Sequence, residues 1–149
     1  MSAVFVDTNV LLCCFDDRDT AKRDRARAWI AACWTRHCGR ISTQVLNEFY
    51  SIARRKFPTA ISAGDARAEV RRYQNWRPWP VDHPTVETAW AIESRYGINY
   101  WDALIVASAQ QQGCTHLLTE DLQHEQTIDS VQIINPFLVG PDVLDRVTP

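Results

Sequence analysis

Residues 3–12, AVFVDTNVLL, decide how the rest of the chain is read. An apolar run rich in Val and Phe stops at a carboxylate, a hydroxyl and an amide (Asp7, Thr8, Asn9), and a second apolar run follows. A buried strand that delivers an acid at its carboxyl end is the expected geometry of an α/β site, because ligands of parallel sheets sit outside the carboxyl ends of the strands. One acid does little chemistry alone, so the question is which other carboxylates can meet Asp7.

A chain of 149 residues is the size of one domain, long enough to bury roughly two-thirds of its unfolded surface. Its hydrophobic fraction of 46% and charged fraction of 23% exclude disordered and collagen-like classes. The longest uninterrupted apolar run, Ala28 to Trp34, is too short to span a bilayer. No basic segment precedes a signal-like apolar stretch, which predicts a cytoplasmic protein. Five cysteines (Cys13, Cys14, Cys33, Cys38, Cys114) without a CxxC pair read as small buried hydrophobes. Cys33, His37 and Cys38 lack a fourth ligand nearby and make a weak metal signal. The net charge is only −2, but its distribution is uneven. Residues 1–77 carry 14 Lys/Arg against 8 Asp/Glu, a net +6, and residues 78–149 carry 2 against 10, a net −8. Such halves suit phosphate-binding charge around an acidic centre, and equally suit solvated helix faces.

Along the chain, Thr20 is placed to cap a helix to about Trp34, with Ala26, Trp29, Ile30 and Cys33 as its apolar stripe. Arg40 to Ser42 reads as a short extended piece. Ser42 or Thr43 then caps a helix, TQVLNEFYSIARRKF, that buries Val45, Phe49, Ile52 and Ala53. Glu48 falls at the edge of that stripe, either aimed along the core boundary into a cleft or an ordinary surface glutamate. A further helix is expected from about Ser62 to Trp76, then a connector or edge strand in RPWPVDHP. Another helix has Pro84 in its first turn and stops at Gly97. In INYWDALIVASAQQQG, Asn99 caps, Gly113 terminates, and Asp102 lies in the first turn, where the helix dipole favours negative charge. The apolar run Ala103 to Ala107 buries this helix on most sides and puts Asp102 at the mouth of the core. Cys114 to Thr119 reads as a buried strand ending in Thr119-Glu120-Asp121, and Val131 to Ile134 as a last strand. Residues 138–149 read as a loosely packed tail. Strands separated by helices predict a parallel sheet with helices on both faces.

Asp7, Glu48, Asp102 and Asp121 thus have structural reasons to converge. Each carboxylate pair about 4 Å apart repels by roughly 4 kcal/mol at an effective dielectric of 20, so such a cluster needs cations or raised pKa values. Mg2+ takes oxygen ligands and keeps several waters, which suits carboxylates plus a substrate phosphate. Bound metal makes a nucleophile of water and offsets charge on an attacked phosphate.

In that order and spacing, VDTNVLL, ISTQVLNEFY, NYWDALIVASA and LLTEDLQHEQ followed by INPF resemble a PIN-domain ribonuclease of the VapC toxin type, over about Val4 to Phe137. The resemblance implies a Rossmann-like α/β/α sandwich with a central parallel sheet, the domain spanning 1–137 and a tail 138–149 packed on it or extending from it. It further implies Mg2+ or Mn2+ dependence, endonucleolytic hydrolysis of RNA (tRNA or rRNA), a VapB-like antitoxin, and a homodimer, which six tryptophans also suit. Asp7, Glu48, Asp102 and Asp121 match the family's acidic quartet, expected to hold one or two ions, with Asp7 and Asp102 as primary ligands. Thr8 and Asn9 match the polar residues that aim the first acid, and Thr119 the hydroxyl residue beside the last. Cys13-Cys14 and His124-Glu125 depart from the pattern, and His124 reads as an RNA contact or a surface loop residue. A catalytically silent module on the same fold, binding RNA or protein, is the rival reading. A haloacid-type phosphatase would carry a second Asp where Asn9 stands, and a dinucleotide enzyme would carry GxGxxG after the first strand.

Overall fold

The sheet runs in the order β2-β1-β3-β5-β4, so the chain leaves β1 towards one edge and then crosses back over it to reach β3. The computed structural model describes residues 2–146. Its strands are β1 (Val4–Val6), β2 (Gly39–Arg40), β3 (His116–Leu118), β4 (Thr127–Ile128) and β5 (Val131–Ile134). Its α-helices are α1 (Thr8–Cys13), α2 (Thr20–Thr35), α3 (Thr43–Lys56), α4 (Ala63–Arg72), α5 (His83–Tyr96) and α6 (Tyr100–Gln111). All strand pairs are parallel except β4 with β5. Because parallel crossovers are right-handed, the connections β1 to β2 and β2 to β3, which run in opposite directions across the sheet, lie on opposite faces and open a crevice between β1 and β3. Val4, Phe5 and Val6 are fully buried, as a central strand covered on both faces requires.

Local chemistry accounts for most of the element ends. Ser42, the first of the two expected caps, receives the Val45 N–H and starts α3. Asn99 caps α6, and Gly97 closes α5 at a φ of +66°. Pro84 sits in the first turn of α5. In α6, Ala103 to Ala109 are all buried, the run its apolar sequence requires.

Several boundaries differ from the sequence-based expectation. The apolar run after Asp7 is a helix in its own right, α1, whose six residues are too few to show a period. Asp19 rather than Thr20 caps α2, accepting from Lys22 N. β2 begins one residue before the expected piece. The last turn of the helix expected to Trp76 tightens into a 3-10 turn, Tyr73–Trp76. Within RPWPVDHP, Trp79 makes a single parallel bridge to Ser42, the edge position that prolines tolerate. The hairpin of β4 with β5 has no two-residue turn signature and is apparent only from pairing. Beyond Phe137, a 3-10 turn at Pro141–Arg146 packs Val143 and Leu144 against the core. The Trp29 indole N–H donates to the carbonyls of Pro136 (3.1 Å) and Val139 (2.9 Å), and Arg36 pairs with Asp145, so residues 138–146 are tied to α2. Four cysteines are buried and Cys13 is half-buried; all five are free.

Gly39 is required by packing, since a Cβ there would lie 2.5 Å from the Trp76 ring. That ring packs against Trp34 at 5.0 Å and Tyr73 at 4.8 Å between centroids, so shifting it disturbs the whole aromatic cluster. Gly39→Ala is expected to cost about 1–3 kcal/mol of stability by overpacking, read as a lowered urea midpoint with an unchanged slope.

Candidate metal centre

Asp7 ends β1 with extended backbone and at once caps α1, so the strand-to-helix turn fixes where its carboxylate points. The side chain is buried, and both oxygens are engaged. Oδ1 accepts the Thr8 N–H at 2.7 Å and Oδ2 accepts the Thr119 hydroxyl at 2.8 Å. Thr119 follows β3 directly, and the ladder continues past Leu118, with Asp7 N donating to Leu118 O at 3.0 Å. The neighbouring strand therefore delivers the hydroxyl to the acid. Thr119 Oγ1 also accepts from Asp121 N at 3.1 Å, which positions the next acid two residues on.

Asp102 lies in the first turn of α6, its N–H donating to Asn99 Oδ1 (2.9 Å) while Asn99 Nδ2 donates back to Asp102 Oδ2 (2.7 Å). One oxygen from each of Asp7, Asp102 and Asp121 lies within 4.8 Å of the others. The site sits at the switch point between β1 and β3, where the topology opens a crevice. Glu48 lines the same cleft without joining that close group. It is held on one oxygen by the Thr8 hydroxyl (3.0 Å) and on the other by Gln44 Nε2 (2.8 Å).

The residues expected to aim Asp7 divide their work. Thr8 holds Asp7 through its backbone and Glu48 through its hydroxyl. Asn9, one step further along α1, reaches away from Asp7 and donates to Asp121 Oδ2 at 3.0 Å and Thr119 Oγ1 at 3.3 Å. His124 is a structural tie, its Nδ1 accepting the Asn135 N–H at 2.9 Å. Sequence reading missed Gln44 and gave Asn99 only a capping role. The available signals were a Gln four residues before Glu48 on one helix face and an Asn three residues before Asp102.

The electrostatics are those of an acidic hollow. The cleft holds about 150 Å³, and among the described residues that line it there is no Lys or Arg. Like charges at this spacing repel by roughly 3–4 kcal/mol per pair at an effective dielectric of 20. Asp7 responds by shifting from 3.8 to about 7, chiefly through burial and secondarily through Asp121 and Asp102, against the lowering by Thr119 and Thr8. Burial also raises Asp102, with Asp121 and Glu48 adding to it. The amide oxygens of Asn9 and Gln44 are buried without a hydrogen-bond partner. That is the cost of turning both amide N–H groups towards carboxylates. An all-oxygen donor set of three carboxylates, with one oxygen of each within 4.8 Å of the others, has the chemistry that a small, hard divalent cation takes.

Sheet and acid cluster together define an α/β protein with three carboxylates gathered at its topological switch point. A family model described as PIN domain matches residues 4–128, and the chain belongs to the PIN-domain family. Among solved structures, it is similar to the Mycobacterium tuberculosis toxin VapC20, described as cleaving the sarcin-ricin loop. That match has 24% identity and a TM-score of 0.60, covering 80% of this chain and 92% of that one. A toxin–antitoxin complex from Klebsiella pneumoniae matches at 20% identity and TM-score 0.62, covering 91% and 98%. DNA-bound VapBC from Salmonella typhimurium matches at 18% and 0.59, covering 89% and 97%. At these identities the likeness is one of fold. No curated protein matches the sequence.

In the fold, Asp7 holds its proton up to about pH 7, and in the unfolded chain only to about 3.8. Protons therefore favour the fold between those values. Metal-free protein should lose stability as pH rises from about 4 to about 7, on the order of 4 kcal/mol from Asp7 alone. Thermal melts in EDTA across that window check the slope, and Asp7→Asn should flatten it.

Proposed function

We propose that this protein is a divalent-metal-dependent endoribonuclease of the VapC kind, cutting RNA phosphodiesters and silenced by a VapB-like antitoxin. The observation that carries the reading is the triad of Asp7, Asp102 and Asp121 oxygens within 4.8 Å of one another on a PIN fold. Support comes from the three similar structures, one described as an RNA-loop-cleaving toxin and two as toxin assemblies.

Asp7, Asp102 and Asp121 would hold the ion, Mg2+ with Mn2+ as an alternative. When bound, it supplies Lewis acidity that lowers the pKa of water and offsets charge on an attacked phosphate. The chain's own residues do the rest. Thr119 and the Thr8 amide fix both oxygens of Asp7, and Asn9 and Asn99 fix Asp121 and Asp102. Such outer hydrogen bonds set the direction and basicity of a ligand. Glu48, restrained by Thr8 and Gln44, is the fourth carboxylate of the cleft and the candidate acceptor of the proton that attacking water gives up. No cysteine or histidine nucleophile enters.

A cleft without its own cation is also a receptacle for a partner's arginine. An antitoxin guanidinium pairing bidentately with the carboxylates would compete with metal and shut the enzyme. A homodimer belongs to the same reading, and Trp90 on α5 remains 47% exposed. On this reading the protein acts in the cytoplasm, where RNA and an antitoxin would meet it. Among the described residues no helix is long and apolar enough to cross a membrane.

Purified protein freed of any partner should cut RNA in Mg2+ and lose activity in EDTA. Asp7→Asn or Asp102→Asn should abolish cutting while melting cooperatively. Undiminished cleavage in either case sinks the mechanism. Separately, Thr119→Val, which removes the hydroxyl from Asp7, is expected to weaken Mg2+ binding by about 10- to 100-fold by calorimetry.

A further inference from the structure

The acidic cleft runs into a larger, mostly apolar groove of about 730 Å³, the two sharing Gln44, Glu48, Ile52 and Trp101. Trp101 is 63% exposed, more than Trp90 at 47%. Its place is nevertheless well fixed. It precedes Asp102 in the first turn of α6, so one turn of helix carries both the indole and a carboxylate of the triad. Gln44 Nε2 donates to the Trp101 carbonyl at 3.4 Å as well as to Glu48, and the Tyr100 ring stands edge-on at 5.2 Å. Beyond the groove, Asn47 is shared with a third hollow of about 360 Å³ between α3 and α4, which Tyr50, Arg67 and Arg71 also line. Arg67 Nε donates to the Tyr50 hydroxyl at 3.1 Å. Among the described residues, neither Arg67 nor Arg71 makes an ion pair.

We propose that this continuous surface is the track of a single RNA strand. One base stacks on the Trp101 indole beside the phosphate held at the acidic cleft, and a flanking phosphate rests on Arg67 and Arg71. The inference rests on the nuclease reading above. An apolar groove with a free π-face and with Thr43, Gln44 and Asn47 at its rim offers a nucleobase both a stacking surface and hydrogen bonds to its edge. A paired duplex cannot present a base this way. Charge points to the same occupant, since a cation at the triad and arginines at the far end attract one polyanion at both ends.

The test uses the Asp7→Asn protein in Mg2+, which the nuclease reading expects to hold RNA without cutting it, and follows a short labelled single-stranded RNA by fluorescence anisotropy. Trp101→Ala, a change at an exposed position, should weaken binding about tenfold, the size of one base–aromatic stack, and Trp101→Phe should stay within about threefold. An RNA abasic at the stacked position should bind the Trp101→Ala protein and its parent alike. Arg71→Ala should lower the slope of log affinity against log salt by about 0.7. Equal binding by Trp101→Ala and its parent, or a gap that survives every abasic position, overturns the stacking and leaves the nuclease reading standing. Normal RNA binding by a Trp101→Ala protein that has lost self-association would give the indole to a contact between copies and also overturn it. Failure of the Asp7→Asn protein to bind RNA at all would overturn the strand track, and cleavage of the same RNA by the unmutated protein in Mg2+ would then leave the nuclease reading standing.

Discussion

Burying the Asp7 carboxylate at the end of a wholly apolar strand is the constraint on which the rest depends. A buried carboxylate without hydrogen bonds costs several kcal/mol, so its oxygens must meet donors. One donor comes from the chain turning directly into α1, which brings the Thr8 N–H onto Oδ1. The other comes from β3 lying beside β1 in the register Val6 to Leu118, which puts Thr119 level with Asp7. Strand order, register and the strand-to-helix turn are therefore all fixed around one side chain.

The same bonds work against the charge they orient. Burial and two neighbouring acids push the Asp7 proton affinity up, while Thr8 and Thr119 pull it down. The balance leaves a site that metal-free protein keeps partly protonated and that a divalent cation would relieve. The stranded amide oxygens of Asn9 and Gln44 belong to this compromise. Local stability is given up to hold four carboxylates in one cleft, the kind of strain that accumulates at functional sites.

The basic first half of the chain is less available than its composition suggests. Arg18, Arg23, Arg36 and Arg72 are each paired with Asp16, Asp17, Asp145 and Glu69 respectively. What is left for a polyanion lies mainly on α3 and α4, the helices that flank the acidic cleft and its apolar extension. Sequence charge counts total supply, and only the fold says which of it is already engaged.

The sequence by itself determined the α/β class, the buried strands at Val4 and Leu117, the caps at Ser42 and Asn99, and the acids that could meet. These rest on apolar runs, hydroxyl or amide caps and strand-end acids, all signals carried within a few residues of one another. Tertiary structure alone decided which acids come close, that Asp7, Asp102 and Asp121 group while Glu48 stands apart. It also decided that Asn9 serves Asp121, that His124 braces Asn135, and that Gln44 joins Glu48 to the Trp101 turn. α1 and the β4–β5 hairpin were out of reach for a related reason. A six-residue helix and a two-residue strand are too short to print a period, and their partners are supplied from elsewhere in the chain, α1 packing against α2 and α3 and β4 pairing with β5. Local preference is written residue by residue, whereas the spacing of charges more than forty positions apart is set only when the sheet closes its register.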